Sequence, residues 1–186
     1  FPSKNLGCLG DGGMVVTNDA ALAEKLAQLR NHGMNPKYYH KMVGGNFRLD
    51  ALQAAVLSVK LPHLDTWHAA RQKNAAFYDE HLTAPGLNKP KAVYGRENHI
   101  YNQYILSVPG KRDELRKFLA DNEIGHDVYY PVSFHEQECF QDLGYKLGDF
   151  PASEYASRHV VALPIFPDLT TEQLAFVAEK INEFYR

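Results

Sequence analysis

Phe1-Pro2-Ser3-Lys4-Asn5-Leu6-Gly7, followed after Cys8 by Leu9-Gly10-Asp11-Gly12-Gly13, sets one lysine directly ahead of a glycine run. The order of the parts decides what this segment can be. A Walker loop needs its lysine after the glycines with a helix next, and a dinucleotide fingerprint needs strand, glycines, then helix. Here the lysine comes first, and the β-branched run Met14 to Thr17, which reads as a strand, comes next. Neither phosphate-loop reading survives. Taken alone, a loop lysine is ordinarily a solvated surface charge, because Lys is seldom buried.

Downstream of the run, Asn18 or Asp19 can cap a helix in which Leu22, Leu26 and Leu29 share one face before Gly33 stops it. Met34 to Arg48 is a long irregular connection rich in aromatic and basic side chains, of the kind that tends to carry function. Asp50 opens a second helix with Leu52, Val56 and Val59 on its apolar face, and Pro62 permits a third that runs to about Leu82. Thr83 to Pro90 reads as a linker. Beyond it the pattern predicts a strand over Tyr101 to Val108 and a helix over Lys111 to Asn122 with Leu115, Phe118 and Leu119 inward. A strand over His126 to Tyr130 and a short helix over Ala152 to His159 follow. The last element is an amphipathic helix over Thr170 to Tyr185 with Leu174, Val177, Ile181 and Phe184 aligned.

With 186 residues, 45% hydrophobic and 23% charged, the chain can bury the core of one or two α/β units. The formal charge of -2 is spread over intermixed acids and bases, so there is no footprint for nucleic acid or an anionic membrane. No apolar run approaches the roughly 20 residues of a spanning helix. Cys8 and Cys139 lie far apart and form no CxxC pattern, which suits a reducing cytoplasm and suggests neither a disulfide framework nor a zinc knuckle. The nine histidines offer no ligand spacing with a third partner, so no metal is expected. Cys139 stands four residues from His135, and the bland reading of that pair is a small core-facing thiol. The start at Phe1, without a Met, suggests a start inside a larger unit.

The lysine-glycine segment, together with Val16-Thr17-Asn18-Asp19, Arg30-Asn31-His32-Gly33, Gly45-Asn46-Phe47-Arg48-Leu49-Asp50 and Gln53-Ala54-Ala55, resembles the pyridoxal-phosphate-dependent sugar aminotransferases of the DegT/DnrJ/EryC1/StrS type in order and spacing. Tyr101-Asn102-Gln103-Tyr104, Val128-Tyr129-Tyr130-Pro131, the stretch near His135 and Leu163-Pro164-Ile165-Phe166-Pro167 extend the resemblance over nearly the whole chain. It implies an α/β fold: the end of a fold-type-I large domain over 1–83, with connecting helices, and a small C-terminal α/β domain over 84–186.

The resemblance also implies chemistry. Lys4 matches the Schiff-base position, which makes it the anchor of pyridoxal 5'-phosphate and the general base. An amine attacks an aldehyde only when neutral, so burial or nearby positive charge must offset the ordinary lysine pKa of about 10.4. Asn46 and Arg48 would by themselves be an Asx-type cap and a surface cation. The resemblance makes Asn46 a donor to the cofactor phosphate of the other subunit in a homodimer with shared active sites, and Arg48 a partner for the substrate's acidic group. His135 falls in a stretch resembling a nucleotide-sugar contact loop, although a loop histidine is often merely solvated. The implied reaction moves an amino group from an amino acid, glutamate foremost, to a keto group of a nucleotide-linked sugar, in amino-sugar and polysaccharide biosynthesis. The family's acid for the pyridine nitrogen, its stacking aromatic and its phosphate hydroxyls would precede Phe1, so this chain alone is expected to bind cofactor poorly. Two rivals stand beside this reading: a sugar dehydratase on the same scaffold, against which Lys4 argues, and a non-catalytic dimerisation or ligand-binding module.

Overall fold

Asp19 starts the first helix, its Oδ1 accepting the N–H groups of Ala21 at 2.9 Å and Leu22 at 3.1 Å, which satisfies donors that the helix cannot. That helix, α1, spans Ala20–Arg30. Gly33 closes it with φ +71 and an N–H donated back to the Gln28 carbonyl at 2.8 Å. The computed structural model describes residues 2–108 and 110–186, and their contacts divide at Leu64/Asp65 into two units.

In the first unit, the irregular stretch after Gly33 bonds mainly to itself and then returns to α1. The Gly45 N–H donates to the Leu29 carbonyl at 3.0 Å and the Phe47 N–H to the Arg30 carbonyl at 3.0 Å, so the returning strand takes up carbonyls orphaned at the helix end. Gly44 permits this approach: a Cβ there would lie 2.6 Å from the Leu29 carbonyl oxygen. Helix α2 follows over Ala51–Lys60 and continues through a 3-10 turn, Leu61–His63, in which Pro62 gives up no needed N–H. Its expected apolar face is rotated. Leu57 is the buried residue, whereas Leu52 and Val59 are 84% and 71% exposed. The strand expected at Met14 to Thr17 forms no ladder, and Val16 is 82% exposed. A β-branched run favours extended backbone, but a ladder needs a partner edge, and none of the described residues supplies one.

The second unit holds the continuous core. Helix α3, Leu64–His81, places Ala75 and Tyr78 in it, with Leu82 just beyond the helix. The Tyr78 hydroxyl donates to the Pro164 carbonyl at 2.9 Å and the Asn74 side chain to the Phe166 carbonyl at 2.9 Å. For this reason α3 shares the core of 65–186, and the contact boundary falls earlier than the 83/84 division read from the linker. Strand β1, Tyr104–Ser107, is shorter than expected because Tyr101 turns with φ +40 and Arg71 caps the Tyr101 carbonyl at 3.0 Å. Helix α4 spans Arg112–Asp121 and buries Leu115 and Leu119.

The strand expected at His126 to Tyr130 reduces to one bridge, Asp127 with Ala162. Helix α5, Pro151–His159, leads into β2, Val160–Leu163, which pairs antiparallel with β1 from Tyr104–Leu163 to Ser107–Val160. Helix α6, Thr171–Phe184, opens on a capping box: Thr170 and Gln173 each accept from the other's backbone N–H. Its Leu174, Val177, Ala178 and Ile181 close the core over the strands.

Candidate functional site

Lys4 is exposed in a bent stretch ahead of the glycines, and among the described residues its amine makes no hydrogen bond or ion pair. The stretch doubles back on itself, since a Cβ on Gly7 would lie 2.1 Å from the Pro2 carbonyl oxygen. Only a residue without a side chain fits there. Two side chains of α2 hold what comes next: the Lys60 ammonium donates to the Gly7 carbonyl, and the Gln53 Oε1 accepts the Leu9 N–H at 2.7 Å. Between these points Cys8 is buried, its thiol donating to the Gly10 carbonyl at 2.9 Å. Gln53, Leu57 and Lys60 stand at i, i+4 and i+7, one helical face. The burial that an unprotonated amine requires is not supplied to Lys4 by the first unit; what that unit supplies is position.

Asn46 and Arg48 come together. The Arg48 Nε donates to the Asn46 Oδ1 at 2.9 Å, and because a guanidinium can only donate, the oxygen of the carboxamide must face it. The amide NH2 of Asn46 is therefore turned away and bonds no described residue, and the terminal nitrogens of Arg48 are equally uncommitted. Both side chains are exposed, while the backbone beneath them is fixed by the Asn31–Asn46 bridge to the end of α1. A primary amine that can meet an aldehyde, and an amide with a guanidinium that can donate to a phosphate or carboxylate, are compatible with pyridoxal phosphate and make up part of the donor set it requires.

His135 lies in the second unit, and its side chain is only 6% exposed. Its Nε2 donates to the Glu154 Oε1 at 2.9 Å, and the same oxygen accepts the N–H groups of Gly148 at 2.8 Å and Phe150 at 3.3 Å. Burial pushes the Glu154 carboxyl up, but the backbone donors and His135 outweigh it and hold the group below its usual 4.5. The pair ties the segment after Ser133 to α5. Above it, Phe134, Phe140, Leu143, Tyr145 and Phe150 form an apolar bowl of about 430 Å³ with His135 and Ser153 in its lining. Glu154 and Lys60 were not singled out by motif, and Gln53 only as the first residue of the Gln53-Ala54-Ala55 string. Glu154 is the one signalled by sequence, as an acid in the first turn of a helix.

Among the described residues, no three His, Cys, Asp or Glu side chains converge as a metal site. No described helix is long and apolar enough to cross a membrane.

Comparison with known proteins gives this geometry a setting. The model of the DegT/DnrJ/EryC1/StrS aminotransferase family matches residues 1–182. Over its whole length the chain is 51% identical to the pleiotropic regulatory protein of Geobacillus stearothermophilus, of which it covers 50%. It is 40% identical, over 98% of its length, to the UDP-N-acetyl-3-dehydro-alpha-D-glucosamine 3-aminotranferase of Acidithiobacillus ferrooxidans, of which it covers 48%. The crystal structure of S. venezuelae DesV in complex with a ketimine intermediate superposes with a TM-score of 0.94 at 38% identity, over all of this chain and 50% of that one. The chain thus spans about half the length of the curated relatives it matches. Its mixed α/β architecture is that of an aminotransferase, and the chain belongs to the DegT/DnrJ/EryC1/StrS aminotransferase family.

Proposed function

We propose that this chain is the part of a pyridoxal-phosphate-dependent sugar aminotransferase that carries the Schiff-base lysine, Lys4. The observation that carries the reading is an exposed lysine amine on a loop gripped at two backbone points by α2, in a chain of this family. The amino donor is an amino acid, glutamate foremost, and the acceptor is a keto group on a nucleotide-linked sugar. The relatives named as nucleotide-sugar aminotransferases support that substrate class. The product is an amino sugar, and two free cysteines suit a reducing cytoplasm.

Bound pyridoxal phosphate would supply an aldehyde and a conjugated ring that accepts negative charge. The chain's residues do the rest. Lys4 Nζ would hold the cofactor at its aldehyde carbon through a C=N bond, with loss of water, and as a free neutral amine would accept and return the proton of the substrate's α-carbon. Asn46 donates its outward amide to the cofactor phosphate of the partner subunit in a homodimer, with Arg48 fixing which end of that amide faces out. Arg48 offers its terminal nitrogens to the substrate's acidic group. His135 acts on the nucleotide-sugar side by holding the aromatic bowl in shape against Glu154. The first unit is the end of the large domain, where the bare β-branched run from Met14 to Thr17 joins a sheet, and the second unit is the small domain.

The full-length protein, supplied with pyridoxal phosphate and reduced with borohydride, tests this by peptide mass spectrometry. A pyridoxyl adduct confined to Lys4 is expected. No adduct, or adducts scattered over surface lysines, refutes the reading and leaves a scaffold role.

A further inference from the structure

We infer that Gln53 and Lys60 are positioning residues for Lys4, a pair of clamps that fixes the backbone on which the reactive amine is carried; this rests on the function proposed above. Three observations carry it. The two side chains grip opposite backbone groups on either side of one buried residue: Lys60 takes the Gly7 carbonyl and Gln53 the Leu9 N–H, with Cys8 between. The loop is shaped to receive them. A Cβ at Gly10 would lie 2.9 Å from the Gln53 Nε2 and one at Gly7 2.1 Å from the Pro2 carbonyl oxygen, so glycine at both places lets the chain lie flat against the helix and against itself. Finally, apolar packing contributes little to holding the loop, because Cys8 and Leu57 are the only buried apolar side chains of the first unit among the described residues.

The physical consequence is orientational. An amine that must meet an aldehyde carbon and later move a proton reacts faster when it is held in a near-attack geometry. Gly7 is three residues from Lys4. With both clamps in place, the carbonyl and the N–H flanking Cys8 are pinned, and Lys4 is joined to that pinned segment by the three peptide links from Lys4 to Gly7. Lys60 and Gln53 touch neither cofactor nor substrate in this account; they act through the loop.

The experiment uses the full-length protein and its Gln53→Leu and Lys60→Met variants, with Gln53→Glu and Lys60→Arg as conservative partners that keep an acceptor and a donor. Two quantities are read: backbone amide exchange over residues 5–12 without cofactor, and the rate at which the Lys4 pyridoxyl adduct accumulates on addition of pyridoxal phosphate followed by borohydride. Each disruptive variant is expected to speed exchange and slow adduct formation by about five- to tenfold, the worth of one lost hydrogen bond. The conservative variants should restore both, with thermal midpoints like the parent's. Exchange and adduct rates unchanged in Gln53→Leu and Lys60→Met would overturn the clamp while leaving Lys4 as the anchor. Absence of any Lys4 adduct in the parent protein would instead overturn the proposed function, and the clamp with it.

Discussion

At the scale of single residues, the lysine-bearing loop and the histidine pair show how differently motif and geometry report. Lys4, Asn46 and Arg48 are named by short strings, and the structure joins the last two through one 2.9 Å bond. The partner of His135 is nineteen residues away, and although its place in a helix's first turn is readable, no local pattern announces the pairing, because a carboxylate that gathers two N–H groups and a histidine depends on where a turn brings the backbone. The pair makes a prediction. Since the Glu154 carboxyl is held below 4.5, its contribution is fully present above that pH and is lost as pH falls through the depressed value. Amide exchange at Gly148 and Phe150 should therefore stay slow down to the depressed pKa and rise below it. Glu154→Gln should abolish that pH dependence, and a flat profile in the parent protein would refute the assignment. Gly33 makes a second. Its φ of +71, with a Cβ that would sit 1.8 Å from the Met42 carbonyl oxygen, means Gly33→Ala should cost at least about 1–2 kcal/mol in urea unfolding.

At the scale of elements, periodicity read the helices well where they pack on the main core and poorly where they do not. Helices α4 and α6 bury the leucines and isoleucine that a 3.6-residue repeat selects. In α2 the hydrophobic repeat chose Leu52, Val56 and Val59, yet the face turned inward carries Gln53 and Lys60 at its ends. Polar side chains that bind backbone are invisible to a hydrophobicity count. Strand β2 was not read from the sequence, since all four of its residues are buried and no alternation marks it. The run from Met14 to Thr17 shows the converse, strand chemistry without a ladder. Capping is testable here: Thr170→Ala removes the acceptor of the Gln173 N–H at 3.2 Å and should lower stability by about 1 kcal/mol. Leu115→Ala, in the fully buried interior, should cost roughly 2–5 kcal/mol. Equilibrium denaturation distinguishes the two, and comparable losses would contradict the burial assigned to Leu115.

At the scale of the whole molecule, the two units differ in kind. Among the described residues, the second has seventeen buried residues in one cluster, including Tyr78, Tyr104, Leu119 and Ile181, while the first buries Cys8 and Leu57. Residues 65–186 expressed alone should therefore unfold in one cooperative thermal transition, whereas residues 1–64 alone should show none. A cooperative transition in 1–64, or its absence in 65–186, would contradict that division. The resemblance of the sequence to a known family made the α/β class legible, but the linker composition that marked a boundary near residue 83 could not reveal that Tyr78 bonds to Pro164.

The separation between the loop and its clamps also sets an order of events in biosynthesis. Gln53 lies 44 residues after Leu9, and Lys60 lies 53 after Gly7. At about 5–20 residues per second, the ribosome delivers the lysine loop roughly 2–11 seconds before the helix that holds it. The amine thus leaves the exit tunnel attached to a slack tether, and it acquires its final aim only when α2 has been made.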